Sequence, residues 1–120
     1  MLSTVPVLST ENTFELKFDK GKISTTVDSA VIRGDRDSYH LNAKSGQRIS
    51  TAVTSFEDNA VFEIFYRKNS EWSAIKGTQE TRVWYGKLPE SESNRYKIVV
   101  GGTRGNASYV LFVGNSVVDY

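Results

Sequence analysis

Apolar side chains recur at every second residue in this chain, and nowhere does an apolar period of 3.6 residues last for three turns. Phe14, Leu16 and Phe18 alternate with Glu15 and Lys17. Ile49, Thr51 and Val53 alternate with Arg48, Ser50 and Ala52. Tyr96, Ile98 and Val100 form one face of a later strand, and Tyr109, Leu111 and Val113 one face of the last. The run Ala60 to Tyr66 is densest in aromatic and β-branched residues. Ile23 to Val27, Ala30 to Arg33, Ser38 to Asn42, Trp72 to Ile75 and Arg82 to Leu88 read as further strands, separated by Gly, Asn, Asp and Pro clusters. A period of two puts alternate side chains on opposite faces, so each strand has one face to bury. The expected fold is all-β: an antiparallel β-sandwich, jelly-roll-like, of about eight strands. Tyr39, Leu41, Phe62, Ile64, Ile98, Val100, Tyr109 and Leu111 are its expected core.

A chain of 120 residues suits one domain with its own core. Residues 1–12 read as an extended leader, 13–114 as the sandwich and 115–120 as a tail. The net charge of +1 and the lack of any long run of like charges argue against a nucleic-acid partner. The absence of cysteine excludes disulfides and thiolate-held metals. No apolar run approaches the length of a membrane span. Residues 1–8 are too short and polar for a signal peptide, so an exported protein would have lost its leader.

The stretch Arg33 to Gln47 carries a charged turn, a short strand and a Gly-containing hairpin turn. Ile32-Arg33-Gly34, Asp37-Ser38-Tyr39 and Ala43-Lys44-Ser45-Gly46-Gln47 lie within or beside it. They follow Phe18-Asp19-Lys20-Gly21 and precede Leu88-Pro89, Tyr96, Thr103-Arg104 and Tyr109. This series resembles the periplasmic inhibitors of goose-type lysozyme, and more broadly bacterial pre-peptidase C-terminal (PPC) domains, over roughly residues 14–113. The resemblance implies a secreted β-sandwich. It also implies that a loop after the Thr-Arg pair enters the lysozyme cleft. Two features depart from the pattern. The loop Thr103 to Tyr109 is shorter and holds one arginine, and Gly34-Asp35-Arg36-Asp37 lacks the family's aromatic. Both departures predict weak or absent inhibition.

The candidate partner-binding residues are Thr103, Arg104, Asn106, Arg33, Asp35 and Trp72. Arg104 lies in the Gly-rich turn Gly101 to Asn106, where a guanidinium can fork onto a carboxylate. Arg33 and Asp35 flank Gly34 in the charged turn, and Trp72 follows a polar loop. His40, the one histidine, is expected on an outward strand face, which leaves no nucleophile–base pair and no histidine-based zinc site. Asp35, Asp37, Glu57 and Asp58 fit no dedicated calcium loop and read as solvated turn residues. The sequence therefore predicts no catalytic residue, no metal and no cofactor.

The function these features favour is an exported, non-catalytic module, periplasmic or extracellular, that binds a protein through loops at one end of the sandwich. Three narrower readings stand beside it. One is a goose-type lysozyme inhibitor. A second is a carbohydrate- or cell-wall-binding accessory domain using Trp72. The third is a structural subunit that donates residues 1–12 or the tail to a neighbour's sheet.

Overall fold

A computed structural model of the chain describes residues 10–18 and 24–116. The Asp19 to Lys22 turn, residues 1–9 of the leader and the last four residues lie outside them. Among the described residues nine strands follow in order: β1 (Glu11–Glu15), β2 (Ser24–Val31), β3 (Arg36–Asn42), β4 (Arg48–Ser55), β5 (Ala60–Lys68), β6 (Glu71–Ala74), β7 (Val83–Lys87), β8 (Arg95–Gly102) and β9 (Ala107–Ser116). A 3-10 turn at Glu92–Asn94 is the one helical element among the described residues.

The strands form two sheets. One has the order β1-β3-β8-β5-β6, and the other β2-β9-β4-β7. Counted from β2, the eight later strands have the sheet orders of a jelly roll, and all of their pairings are antiparallel. β1 is added at the edge, parallel to β3.

Three differences from the sequence expectation stand out. β1 begins at Glu11, within the segment read as leader, and ends at Glu15 rather than Phe18. β9 continues to Ser116, past the expected edge of the sandwich. The two short strands expected around Ile23–Val27 and Ala30–Arg33 are one continuous strand, β2. Asp28 and Ser29 look like a break in the sequence, but pairing with Val110 and Tyr109 of β9 holds them in the ladder.

The core lies between the sheets, and all eight expected core residues are buried. β8 is central in its sheet, and its Tyr96, Ile98 and Val100 are fully buried on the inner face. Burying a side chain of this size contributes about 1.5–3 kcal/mol. Register matters because a one-residue slip would turn these groups to solvent.

One inward carboxylate breaks the apolar pattern. Asp37 is 1% exposed, a correction to its reading as a solvated turn residue. The hydroxyl of Tyr109 donates to its Oδ2 at 2.6 Å, and the Asn12 amide donates to its Oδ1 at 2.9 Å. The Tyr39 and Tyr109 hydroxyls are 2.6 Å apart. Tyr109 has one proton and gives it to Asp37, so Tyr39 is the donor to Tyr109. Burial pushes both phenols up from their ordinary pKa, and for Tyr109 the bond to Asp37 adds to the rise.

Two stability outcomes follow. Ile64→Ala or Leu111→Ala should cost about 2–5 kcal/mol in denaturant unfolding, because each leaves a cavity in the core. Tyr109→Phe should cost about 1–3 kcal/mol despite its near-identical shape, because Asp37 loses a buried donor. A change below about 0.5 kcal/mol in Tyr109→Phe would mean that water replaces the hydroxyl.

Candidate functional site

The turns between β2 and β3, β4 and β5, and β8 and β9 gather at one end of the sandwich, here termed the upper end. Register requires this: Val31 pairs with Ala107, Ser55 with Tyr109, and Ala60 with Gly102. Of the six candidate residues, Arg33, Asp35, Thr103, Arg104 and Asn106 come together here.

The turns are tied to one another. The Arg33 amide donates to the Asn106 side-chain oxygen at 2.7 Å. Asn59, buried behind the turns, donates from Nδ2 to the carbonyls of Arg104 and Asn106 at 3.1 and 3.0 Å. Its own carbonyl accepts from the Thr103 amide at 2.9 Å. Arg104 Nη2 donates to the Glu57 carbonyl at 2.9 Å. Asp35 Oδ1 accepts from the Thr10 amide at 3.1 Å, which ties the β2–β3 turn to the start of β1. Gly34 permits that turn with φ of +84°, a conformation other residues rarely adopt.

Two residues that sequence reasoning passed over belong to this end. Arg82 donates to the Asp58 carbonyl at 2.8 Å and pairs with its Oδ1 at 3.0 Å. Arg82 and Arg104 therefore grip adjacent residues of the β4–β5 turn. Arg82 thus brings a second arginine to the β4–β5 turn from outside the β8–β9 loop. Phe56, at the tip of the same turn, is 99% exposed. An apolar residue between Ser55 and Glu57 was a visible signal, but only the fold shows that it is left uncovered.

Hollows lie both at this end and away from it. One of about 560 Å³ lies beside the β4–β5 turn, lined by Ser55, Phe56, Ser108 and Tyr109 among others. Another of about 700 Å³ lies towards the opposite end, lined by Tyr66, Ile75, Trp84, Leu88 and Pro89. A further one of about 300 Å³ opens between Arg36, Glu63, Gln79 and Glu80. The upper end presents exposed side chains on short, cross-tied turns.

Trp72 is not part of this end. It lies on the outer face of the five-stranded sheet, cross-strand from Arg67 and roughly 20 Å along β5 from the upper turns. The Arg67 guanidinium and the Lys97 ammonium each sit over its ring at 5.0 Å, and His40 meets it edge-on at 5.5 Å. The ring is half-buried beneath cations rather than open as a stacking platform. Further along the same face, Arg95 forms a bidentate pair with Glu15 at 2.9 and 3.0 Å, which holds the Glu15 carboxyl below its usual range. His40 faces outward, as the alternation of its strand predicts. Partial burial, followed by Arg95 and Lys97, lowers its pKa from 6.5.

No protein-family model and no curated protein sequence matches the chain. Solved structures do. Aeromonas hydrophila PliG, a periplasmic inhibitor of g-type lysozyme, superposes with a TM-score of 0.72 at 24% identity, over 90% of this chain and 99% of that one. Salmonella Typhimurium PliG, another such inhibitor, gives 0.66 at 20% identity over 88% and 98%. The PPC domain of Bacillus anthracis collagenase gives 0.53 at 20% identity over 86% and 93%. The chain has the PliG fold. The resemblance read from the turn and strand motifs thus holds at the level of architecture.

The lowered His40 pKa has a consequence for stability. A histidine harder to protonate when folded makes the unfolded chain bind more protons below pH 6.5. Its contribution is complete above that pH and is lost as pH falls towards the folded pKa. In a thermal-melt series, His40→Gln should flatten this part of the profile. An unchanged slope would place the acid sensitivity in the carboxylates alone.

Proposed function

We propose that this chain is an exported, non-catalytic module that binds a protein through its upper end, and that its partner is a g-type lysozyme. The carrying observation is the exposed Arg104 on a turn locked to Asn59 and Glu57, beside Arg33 and Asn106. The PliG proteins, periplasmic inhibitors of that enzyme class, support the choice of partner and a periplasmic or extracellular location.

The mechanism is steric and electrostatic. Cross-tied turns enter the cleft with little ordering cost, since their backbone is already held. One Nη of Arg104 is used by the Glu57 carbonyl, and its remaining N–H donors are available to a cleft carboxylate. Arg82 contributes positive potential but is half committed to Asp58, so its share is smaller. Thr103 and Asp35 act as positioning groups through the Asn59 and Thr10 bonds. Carbohydrate stacking on Trp72 gains no support from a ring that already lies beneath Arg67 and Lys97.

The test is titration of a g-type lysozyme with the intact chain. Inhibition is expected, and Arg104→Ala should weaken it more than about tenfold, equivalent to about 1.4 kcal/mol. Raising the salt from about 0.05 to 0.5 M should weaken it further. Absence of both inhibition and complex formation by the wild-type chain would reject the lysozyme as partner. Undiminished inhibition by Arg104→Ala would reject the turn as the inhibitory element.

A further inference from the structure

Seven large hydrophobic residues stand exposed among those described, and four of them share one surface: Val83, Tyr85, Val110 and Phe112. Register places all four on the outer face of the β2-β9-β4-β7 sheet. Val83 is opposite Ala52, which is opposite Phe112, and Tyr85 is opposite Ser50, one step along. Thr26 completes the Phe112 row, and Val110 lies between Asp28 and Thr54. Ser24, Ala30, Ser108 and Gly114 also lie on this face. Phe112 lies down along the strand, and a Cβ at Gly114 would come within 3.0 Å of its ring. Single exposed apolar residues need no explanation, but four on one sheet face mark an interaction surface.

The charges at its margins say what the surface fits. Asp28 is the one acidic residue on the face, on edge strand β2 towards the upper end. Arg48 and Lys87 lie diagonally across from it, on β4 and β7 towards the lower end. These two cations are directly opposite each other in the ladder, an unfavourable placement. No ion pair among the described residues involves Asp28, Arg48 or Lys87.

We propose that this face is covered by a second copy of the chain in a two-fold dimer. A two-fold axis lying in the interface beside Phe112 sets Asp28 of each copy against the Arg48–Lys87 pair of the other. The same relation carries Tyr85 of one copy over an open hollow of the other, whose lining includes Asp28, Thr54, Phe56, Ser108 and Val110. Acid meets base and an exposed ring meets a hollow in one operation. Such self-complementarity is what an isologous interface requires. The β4–β5 turn borders this hollow through Ser55 and Phe56, whereas Arg33 and Arg104 belong to the β2–β3 and β8–β9 turns. The proposal does not rest on the lysozyme reading.

The test is the solution mass of the full chain by sedimentation or light scattering from about 1 to 200 μM, the range where a small sheet-to-sheet contact assembles. The expected result is a concentration-dependent shift from 13.4 kDa towards twice that mass. Tyr85→Glu and Asp28→Lys change exposed side chains and should each weaken association more than tenfold, with circular dichroism unchanged. Adding Arg48→Asp and Lys87→Asp to Asp28→Lys should restore the dimer by reversing both charges. A wild-type chain that stays monomeric throughout overturns the proposal. A dimer indifferent to Tyr85→Glu and Asp28→Lys overturns it too, since association would then use another surface.

Discussion

The hydrogen-bonded chain from Tyr39 through Tyr109 to Asp37 joins the two sheets, and much of the upper end depends on it. Apolar packing between the sheets sets their separation without choosing a lateral position. Directional bonds among three buried groups do choose one, because a shift of an ångström or two leaves a carboxylate without its donors. Tyr39 and Asp37 belong to β3, and Tyr109 to β9. Those strands lead directly from the β2–β3 and β8–β9 turns that carry Arg33 and Arg104. A polar clasp near these turns therefore fixes where they stand relative to each other. Asn12 adds β1 to the same clasp, a reason for an extra parallel strand at this edge.

Above the clasp, Asn59 acts in the same way on a smaller scale. It is buried, and with its side-chain donors and its carbonyl it holds both ends of the β8–β9 turn against the β4–β5 turn. A Gly-rich turn such as Gly101 to Gly105 pays a large entropy cost if it must be ordered on binding. Here that ordering is completed by folding. The shortness of the turn, read from sequence as a loss, is also what lets three hydrogen bonds immobilise it.

The alternation of apolar residues was enough to find the strands, the sandwich and all eight core residues named from it. Turn glycines were equally legible: Gly34 and Gly46 both take positive φ, at +84° and +88°. Asp37 was misread because an aspartate that follows Gly34-Asp35-Arg36 has the composition of a turn. Its partners Tyr109 and Asn12 are 72 and 25 residues away. Trp72 lies half-buried on an outer sheet face, where Arg67 and Lys97 reach its ring only because β6, β5 and β8 are adjacent.

By itself, then, the sequence determined the local geometry: which residues are extended, which face of each strand is apolar, and where the chain turns. Those follow from side-chain period and from the φ preferences of glycine and proline, which act between near neighbours. Tertiary structure alone decided which turns meet. The convergence of Arg33, Arg82 and Arg104, the uncovered ring of Phe56, and the placing of Val83, Tyr85, Val110 and Phe112 on one face all depend on jelly-roll pairing. That pairing brings together strands from opposite ends of the chain. Short-range preferences carry no record of it, because strand order and register are selected by the burial and hydrogen bonding of the sheets as a whole.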